Sequence, residues 1–565
     1  MILFKEAHDR EKIRQIKEHP YYSEDIKRIN EIYEQVKDEP IEVLTKSEYF
    51  IFNKTGDRLE FERKYFERRT RLDIYFAEYL LYERKEDLER LEDIIWAICG
   101  EFSWALPAHV GWENAEEDMA CIDLFAAETG QALSEIMYIL NDKLSDYIKT
   151  IMMYEIRRRI IDSFKKRTFH WETVTNNWAA VCAGSIGMTL IYAAPQKYEY
   201  FEKRLMKSLE NFLSGYGDDG ICTEGLGYWN YGFGYYTFFA QLLFEFSDGK
   251  KNIMNGKKIR EIVQFQQRMY LSGNTVISFA DGGRNGYFEK GLTHRLKELF
   301  PDYVTVPDKS CESEDFCFDK EFYKGENRFP MCLRNLLWSK PEYARESILP
   351  RTENYYSASQ WYTNVTEKLG FAAKSGNNGE SHNHNDIGGF IIAADNEQYI
   401  ADIGAGEYTK DYFHEGRYDI LCCSSKGHSV PVIDGHLQSA GKKYAGKVLK
   451  ADGDEFITDI AGAYDIAGLN SVIRTFSVYE NGVKLSDEFD FADGKTHNIQ
   501  EYFISVIEPE KCDGYIRIGG IKVIGAEETK ILHSTEKNHN GEPFSMWRTE
   551  YSVSDNKFSL TFELI

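Results

Sequence analysis

The strongest constraint on the fold is a change of hydrophobic period near the middle of the 565-residue chain. Up to about residue 300 the apolar residues recur at helical spacing, whereas beyond about residue 350 short segments alternate apolar and polar residues, as half-buried strands do. Five prolines, at residues 301, 307, 330, 341 and 350, separate the two patterns. The change predicts two domains, a helical one over residues 1–335 and an antiparallel β-sandwich over residues 336–565.

Glycine-rich turns divide the first half into segments with helical spacing. We expect helices over residues 10–38, 58–99, 115–165, 176–194, 198–214, 228–247 and 256–272. Helix pairs of this length suggest an (α/α) toroid, although other helical arrays have the same spacing. In the second half we expect strands over residues 371–376, 388–404, 447–464, 471–491, 498–506, 515–525 and 551–565.

The composition excludes several classes of partner. The net charge of −24 argues against nucleic acid, because phosphate binding needs clustered lysines and arginines. The longest apolar stretch is too short to span a bilayer. The N-terminus lacks an apolar signal region, and the ten cysteines have neither disulfide nor metal spacing. We therefore expect a cytoplasmic protein with reduced thiols, without nucleic-acid or membrane partners; a homo-oligomer is compatible with the sequence.

The first chemical cluster is Ser-His-Asn-His-Asn-Asp at residues 381–386. His382 and His384 are two positions apart, so on a strand they face the same way. Asp402 and His428 follow downstream, and His436 competes with His428 as a third ligand. Two imidazoles and one carboxylate suit Zn²⁺, while polar loop residues without a metal are the alternative.

Two further clusters lie in the helical half. Asn176, Asn177 and Trp178 open a predicted helix, where one asparagine can cap the helix and leave the other amide for a ligand. Residues 224–236 read EGLGYWNYGFGYY, in which glycines allow close approach of a sugar and a tyrosine hydroxyl can act as acid or base. The alternative for this segment is a core aromatic stripe, above all for Tyr235 and Tyr236.

Together these clusters resemble the heparinase II/III family of polysaccharide lyases and alginate lyases of related architecture. The Asn-Asn-Trp helix start, the EGxxYWxYG segment and HNHND followed by a D-x-G-x-G-x-Y turn occur in the family's order. Residues 104–109 and 123–130 also resemble the family's toroid. The resemblance implies an incomplete (α/α) toroid followed by an antiparallel β-sandwich, and β-elimination on uronic-acid-containing oligo- or polysaccharides.

The resemblance also implies roles for individual residues. Asn177 would neutralise the uronate carboxylate, Tyr231 would act as general acid and also as a candidate base, and His382 would be the second acid–base partner. His384, Asp402 and His428 would hold a mainly structural zinc ion. Some relatives have His and Glu where this chain has its Asn pair, which leaves the base open. Substrate contacts are expected from Asn176, Trp178, Glu224, Tyr228, Trp229, His109 and Asn385.

The elimination chemistry explains why such groups are needed. The C5 proton of a uronate becomes acidic enough only when donors neutralise the carboxylate. A tyrosine with a pKa of ~10 needs nearby positive charge to act as a base. Candidate sources of charge are the basic residues 157–159 and 165–167 and His170. We expect the site in a cleft between the two domains, and the acidic chain favours short oligosaccharides over long polyanions.

Three rival functions are compatible with parts of the sequence. Asp218, Asp219 and Glu224 could supply the carboxylate pair of a glycoside hydrolase. HNHND matches the H-x-H-x-D motif of metallo-hydrolases, but Ile387 stands where they continue with histidine. A non-catalytic sugar-binding protein is the third rival. Formation of an unsaturated uronate, which absorbs in the near ultraviolet, distinguishes a lyase from all three.

Overall fold

A computed structural model describes residues 2–312, 328–344, 352–408, 412, 415–539 and 541–565. Its first half is an incomplete (α/α) toroid, in which successive helices pack in pairs around a shared apolar core. The α-helices are Arg10–Glu18, Ser23–Val36, Lys46–Tyr49, Ile51–Thr55, Leu59–Tyr82, Lys85–Cys99, Ala115–Met119, Leu124–Ile139, Asp146–Ile156, Asp162–Lys166, Asn177–Ala193, Tyr198–Ser214, Leu226–Phe246, Lys257–Ile262, Phe265–Arg268, Lys290–Leu299 and Phe329–Leu337.

The second half is built of antiparallel sheets that stack as a sandwich. One sheet has the order Thr352–Tyr356, Trp361–Val365, Gly370–Lys374, Phe390–Ala394, Glu397–Ile400. A larger sheet has the order Lys447–Asp452, Glu455–Asp459, Leu469–Tyr479, Gly482–Phe491, Lys557–Leu564, Ile521–Ile524, Tyr515–Ile518, Pro509–Cys512. A further sheet has the order Lys530–Lys537, Pro543–Ser552, Ile499–Ser505, Val432–Ile433. Short pairs join Tyr270–Ser272 to Thr275–Val276 and Gly441–Ala445 to Asn377–Asn378.

The inner strands of the five-stranded sheet are buried on both faces, and the sheet joins the two halves. Alternate residues such as Trp361 and Ile391 pack into the core of the toroid. The intervening residues, such as Phe371 and Phe390, pack into the core of the sandwich. Gly370 lies so close to the hairpin of the helical half that a Cβ there would come within 2.3 Å of the Leu271 carbonyl oxygen. The two halves therefore share a dry, closely packed interface.

The predicted fold class is confirmed, and the local differences have identifiable causes. The expected helix over 256–272 is instead two short helices and a strand, because a turn at Gly273, with φ of +53°, reverses the chain into a hairpin. The helix over 58–99 is interrupted at Glu83, which has φ of +53°. Strands Thr352–Tyr356, Trp361–Val365 and Lys530–Lys537 were not predicted. The helix Phe329–Leu337 crosses the predicted boundary at 335/336, and the division into two domains stays a prediction.

No helix in the described ranges is long and apolar enough to cross a membrane.

A buried arginine organises the inside of the sandwich. Arg474 is fully buried and forms a two-pronged ion pair with Asp487, with both distances 2.9 Å, and a second pair with Glu501 at 2.6 Å. Its remaining nitrogen donates to the carbonyl oxygens of Gly388 and Ser429. Gly388 lies two residues after the HNHND segment and Ser429 directly follows His428, so Arg474 supports both loops.

We expect Arg474→Met to lower the free energy of unfolding by ~3–5 kcal/mol, because it leaves two buried carboxylates without their cation. Guanidinium denaturation of the purified variant measures the change. Lys557→Met is the matched control, since Lys557 pairs with Glu488 at 2.9 Å on the exposed surface, and it should change stability by less than ~1 kcal/mol. Equal effects of the two substitutions would contradict the role assigned to Arg474.

Candidate active site

A cleft of about 1260 Å³ lies where the toroid meets the sandwich. Asn177 and Tyr231 from the helical half and His382 from the sheet half line this one cleft. Asn176, Trp178, Glu224, Tyr228 and His109 line it too. The structure thus brings together most of the predicted site residues, which are spread along the chain from His109 to His382.

Asp281 is the buried centre of the side chains that connect the two halves at the cleft. Its carboxylate accepts hydrogen bonds from His382 Nδ1, His384 Nε2 at 3.0 Å and the hydroxyl groups of Tyr408 at 3.0 Å and Tyr412. Burial would raise the pKa of Asp281, but the two histidines hold it well below its ordinary value. The carboxylate is therefore ionised and orders the groups around it.

The position of His382 is set by several contacts. Its backbone has φ of +55°, and its ring packs against Tyr228 with centroids 4.8 Å apart. Nδ1 is bonded to Asp281, and Nε2 lies on the opposite side of the ring, 3.7 Å from Glu224 Oε1. The Tyr228 hydroxyl is engaged with the Tyr408 hydroxyl at 2.8 Å. Tyr228 therefore holds the imidazole in place.

The Asn-Asn-Trp segment begins the helix Asn177–Ala193. Asn176 caps this helix, since its Oδ1 accepts a hydrogen bond from the Trp178 amide at 3.2 Å. Among the residues that the structure describes, the Asn177 amide has no hydrogen-bond partner, although the residue is only 4% exposed. Gly232 allows the next helix to pass close by, because a Cβ there would lie 3.0 Å from Asn177 Cβ. The second amide is thus available to a ligand.

Tyr231 is less accessible than its position in the sequence suggests. The Arg328 guanidinium lies 3.6 Å from the centre of its ring, and Arg328 pairs with Glu128 at 2.8 Å. The Tyr231 hydroxyl is buried and has no hydrogen-bond partner within the described part of the chain. Burial raises the pKa of Tyr231 well above its ordinary value; the Arg328 charge opposes this shift and the Glu128 charge adds to it. Tyr231 is accordingly protonated at neutral pH.

The predicted metal ligands lie together. One ligand atom each from His384, Asp402 and His428 falls within 4.8 Å of the others, and all three residues are buried. The Nε2 atom of His384 is bonded to Asp281, so its Nδ1 atom is left buried without a partner in the described residues. His428 Nε2 contacts the Cys422 carbonyl oxygen at 2.6 Å. This is the outer-shell pattern of metal-binding histidines, and the donor set fits Zn²⁺.

Two alternatives for the ligand set can be compared. His436 lies on an exposed turn and takes no part in the buried group, so the geometry favours His428. His384, Cys422 and Cys423 form a second group with ligand atoms within 4.8 Å. Because both groups share His384, a single ion could be bound by one group or by the other, but not by both.

The structure corrects two predicted substrate contacts. Trp229 is fully buried and its Nε1 donates to the Ile262 carbonyl oxygen at 3.0 Å, so it belongs to the toroid core. Asn385 is buried inside the sandwich, where its Nδ2 donates to the Gln438 carbonyl oxygen at 3.4 Å. Neither residue lines the cleft. Both were predicted from neighbours in sequence that do line it.

The three carboxylates considered for a glycoside hydrolase, those of Asp218, Asp219 and Glu224, do not lie together in the cleft. Asp219 accepts hydrogen bonds at 2.9 Å from the backbone amides of Ala358 and Ser359, and so ties its turn to the sheet half. Asp218 is exposed on the same turn. Of the three proposed carboxylates, Glu224 alone lines the cleft. The turn at 218–219 therefore does not provide the carboxylate pair that hydrolysis needs.

The basic residues 157–159, 165–167 and His170, which precede the Asn-Asn-Trp segment, do not line the cleft and so do not supply its positive charge. Arg159, for example, pairs with Glu155 and donates to the Phe102 carbonyl oxygen. The arginines that line the cleft are Arg58, Arg284, Arg328 and Arg417. The sequence analysis missed these residues, together with Asp281. The segment Asp-Gly-Gly-Arg-Asn-Gly at 281–286 could have pointed to two of them, since such a turn between apolar segments exposes polar side chains.

Comparison with solved structures identifies the fold. A structure of heparinase III superposes with a TM-score of 0.61 at 12% identity, over 98% of this chain and 91% of that chain. A heparan sulfate lyase from Pedobacter heparinus gives 0.54 at 11% identity, over 98% and 90%. A chondroitin AC lyase from Streptomyces coelicolor A3, in complex with chondroitin sulphate, gives 0.52 at 11% identity, over 97% and 80%.

Comparisons of the sequence alone find no matching family model and no matching curated protein. Identities this low show a shared fold, while function has to be argued from the site. The chain has the fold of these solved lyases, as the resemblance predicted.

We expect Asp281→Asn to lower the free energy of unfolding by ~3 kcal/mol, because an amide turns N–H groups towards donors and removes a buried negative charge from its cations. Thermal and guanidinium unfolding measure the loss. Asp218→Asn is the control, since this exposed side chain should change stability by less than ~0.5 kcal/mol. A loss no larger than that of the control would show that Asp281 does not hold the halves together.

Proposed function

We propose that this protein is a polysaccharide lyase that cleaves uronic-acid-containing glycans by β-elimination. The observation that carries the proposal is the convergence of an unpaired amide, an unpaired tyrosine hydroxyl and an oriented imidazole on one cleft. These are the three kinds of group that elimination needs: a neutraliser of the carboxylate, an acid and a base. The fold shared with a heparinase III and with heparan sulfate and chondroitin AC lyases supports it.

Asn177 is assigned to the uronate carboxylate. Its amide lines the cleft and has no hydrogen-bond partner within the described residues, so a ligand in the cleft can accept hydrogen bonds from its N–H groups. Donation to the carboxylate stabilises the negative charge that develops when the C5 proton leaves. Asn176 supports this role indirectly, since it caps the helix from which the Asn177 side chain projects.

His382 is assigned the role of base. Its Nδ1 atom is fixed by Asp281, so its Nε2 atom is the one that can take the C5 proton. A carboxylate that orients an imidazole in this way also stabilises the imidazolium that forms. Glu224, 3.7 Å from Nε2, lies on the side where this positive charge develops.

Tyr231 is assigned the role of acid. Burial, together with the neighbouring Glu128 carboxylate, raises the pKa of Tyr231 and keeps its hydroxyl protonated. Donation to the glycosidic oxygen would let the leaving sugar depart as an alcohol. Because Arg328 covers the ring, we expect substrate to displace that guanidinium before the hydroxyl makes contact.

We also propose that His384, Asp402 and His428 hold one Zn²⁺ ion. When bound, the ion would link the segment that carries His382 to the loops that carry Asp402 and His428, a structural role. The orphaned nitrogen of His384 supports this assignment. The substrates we propose are short acidic oligosaccharides, because a chain of net charge −24 repels long polyanions.

The acid assignment is tested by Tyr231→Phe, which should lower kcat by about 10²–10⁴-fold while the protein stays folded, since only the hydroxyl is lost. Turnover is followed as near-ultraviolet absorbance of unsaturated product, on the best substrate from a screen of uronate polysaccharides and their oligosaccharides. Release of product without this absorbance would indicate a hydrolase, and no product from any uronate glycan would remove the lyase proposal.

Tyr235→Phe is the matched control for that experiment. Tyr235 lies one helical turn further on, and its hydroxyl is likewise buried and without a partner in the described residues. Its loss should leave kcat within about threefold, because it does not line the cleft. If Tyr228→Phe abolishes turnover while Tyr231→Phe does not, Tyr228 is the acid.

The zinc assignment predicts one tightly bound ion per chain, measured by elemental analysis of protein purified without added metal. His384→Ala and Asp402→Asn should each lose the ion, because three protein ligands are needed to retain it. His436→Ala is the control and should keep full content. Retention of zinc by Asp402→Asn together with its loss from Cys422→Ser would assign the ion to the His384, Cys422 and Cys423 group instead.

A further inference from the structure

We propose that Arg284 forms a second anion-binding subsite in the cleft, which takes a carboxylate or sulfate group on the sugar ring next to the uronate that is cleaved. The inference rests on the proposed lyase function and narrows its substrates to glycans with an acidic group on that neighbouring ring. A carboxylate and a sulfate present the same planar pair of oxygens to a guanidinium fork, so one subsite can take either.

Arg284 projects from a turn that both halves of the protein hold in place. Its carbonyl oxygen accepts a hydrogen bond from the Val276 amide at 3.0 Å. A Cβ at Gly225 would lie 3.1 Å from the Cα atom of Gly282, and a Cβ at Gly404 would lie 2.0 Å from the Gly282 carbonyl oxygen. The backbone at Gly282 is thus packed between the backbone at Gly225 of the helical half and that at Gly404 of the sheet half. The arginine therefore starts from a fixed point, three residues after the carboxylate that binds His382.

Within the described part of the chain, the charge of Arg284 is not taken up by an ion pair. The other arginines that line the cleft each have a carboxylate partner, namely Arg58, Arg328 and Arg417. Arg284 forms no ion pair in the described ranges, although the chain has 92 acidic residues. A partly buried arginine without a carboxylate lowers stability, so its presence here points to a ligand.

The surroundings of Arg284 suit an anionic ligand. Its guanidinium carbon lies 5.3 Å from the centre of the Phe544 ring, which restricts the fork and leaves its N–H groups for the cleft. Burial lowers the pKa of the Arg284 guanidinium, and the Glu397 carboxylate, which forms no ion pair with it in the described part of the chain, opposes this shift; a bound anion would stabilise the charged form further. Asn285 and Tyr287, on the same turn, line the cleft beside it and can donate further hydrogen bonds.

The test compares Arg284→Gln with Arg260→Gln. Arg260 is a matched control: it is partly buried, lies 5.8 Å from the Tyr303 ring centre, forms no ion pair in the described ranges and does not line the cleft. On the best acidic oligosaccharide, Arg284→Gln should raise KM about tenfold or more and keep kcat within about threefold, as expected for loss of one charge-assisted hydrogen-bonded pair. Arg284→Lys should give an intermediate KM, because it keeps the charge but loses the fork.

Repeating these kinetics on chemically desulfated substrate shows whether the bound group is a sulfate or a carboxylate. If the KM difference between wild type and Arg284→Gln disappears, the subsite takes sulfate; if it persists, the subsite takes a carboxylate. Either result supports the proposal. An unchanged KM for Arg284→Gln, or an equal rise for Arg260→Gln, would overturn it.

A binding measurement separates this inference from the lyase proposal. Thermal unfolding is compared in sodium sulfate, sodium glucuronate and sodium chloride at equal ionic strength. Relative to sodium chloride, sulfate or glucuronate should raise the Tm of wild type and of Arg260→Gln more than it raises the Tm of Arg284→Gln. If wild type makes no unsaturated product from any uronate glycan, the proposed function fails, yet this comparison still decides the subsite. An identical rise in Tm in all three proteins would overturn the proposed Arg284 subsite and leave the lyase proposal standing.

Discussion

The structure of the cleft depends on one buried carboxylate, that of Asp281. A carboxylate taken out of water is costly unless donors and cations surround it. Asp281 belongs to the helical half, whereas the residues that bind its carboxylate belong to the sheet half. The hydrogen bonds and ion pairs of this one carboxylate therefore join the two halves at the site. The partners are His382, His384, Tyr408, Tyr412 and Arg417. The base and the first metal ligand of the proposed site are therefore positioned by the same residue.

This arrangement can be rigid because the interface beneath it is dry. The five-stranded sheet buries one face on the toroid and the other on the larger sheet of the sandwich. A sheet packed on both sides cannot slide without losing apolar contacts on each, at ~25 cal/mol per Å² of surface. The amide, hydroxyl and imidazole of the proposed site are thus held at fixed separations, which is the condition under which oriented groups accelerate a reaction.

The distribution of charge in the cleft differs from that of the whole chain. The net charge is −24, yet in the described part of the chain four arginines line the cleft. Three of them are neutralised by carboxylates, which makes them part of the framework rather than free anion receptors. Arg328 shows this best, because its pair with Glu128 places a cation over the Tyr231 ring. Burial and, to a smaller extent, the Glu128 charge raise the pKa of Tyr231 and keep its hydroxyl protonated. Such a framework favours an acid at this position over a base.

The sequence by itself determined the fold class; its motifs and the family resemblance proposed the metal ligands and left His428 and His436 as alternatives. The change from helical to alternating period predicts toroid and sandwich, because periodicity records which face of each element is buried. The motif spacing groups His384 with Asp402 and His428, since these residues follow one another along strands and loops of one domain. Tertiary structure alone decided that Asp281 meets His382 and that Arg328 covers Tyr231, contacts between segments about 100 residues apart. It also decided that Trp229 and Asn385 are buried beside neighbours that line the cleft. Local patterns report the burial of a face, whereas the partner of a buried charge is set by how distant elements pack.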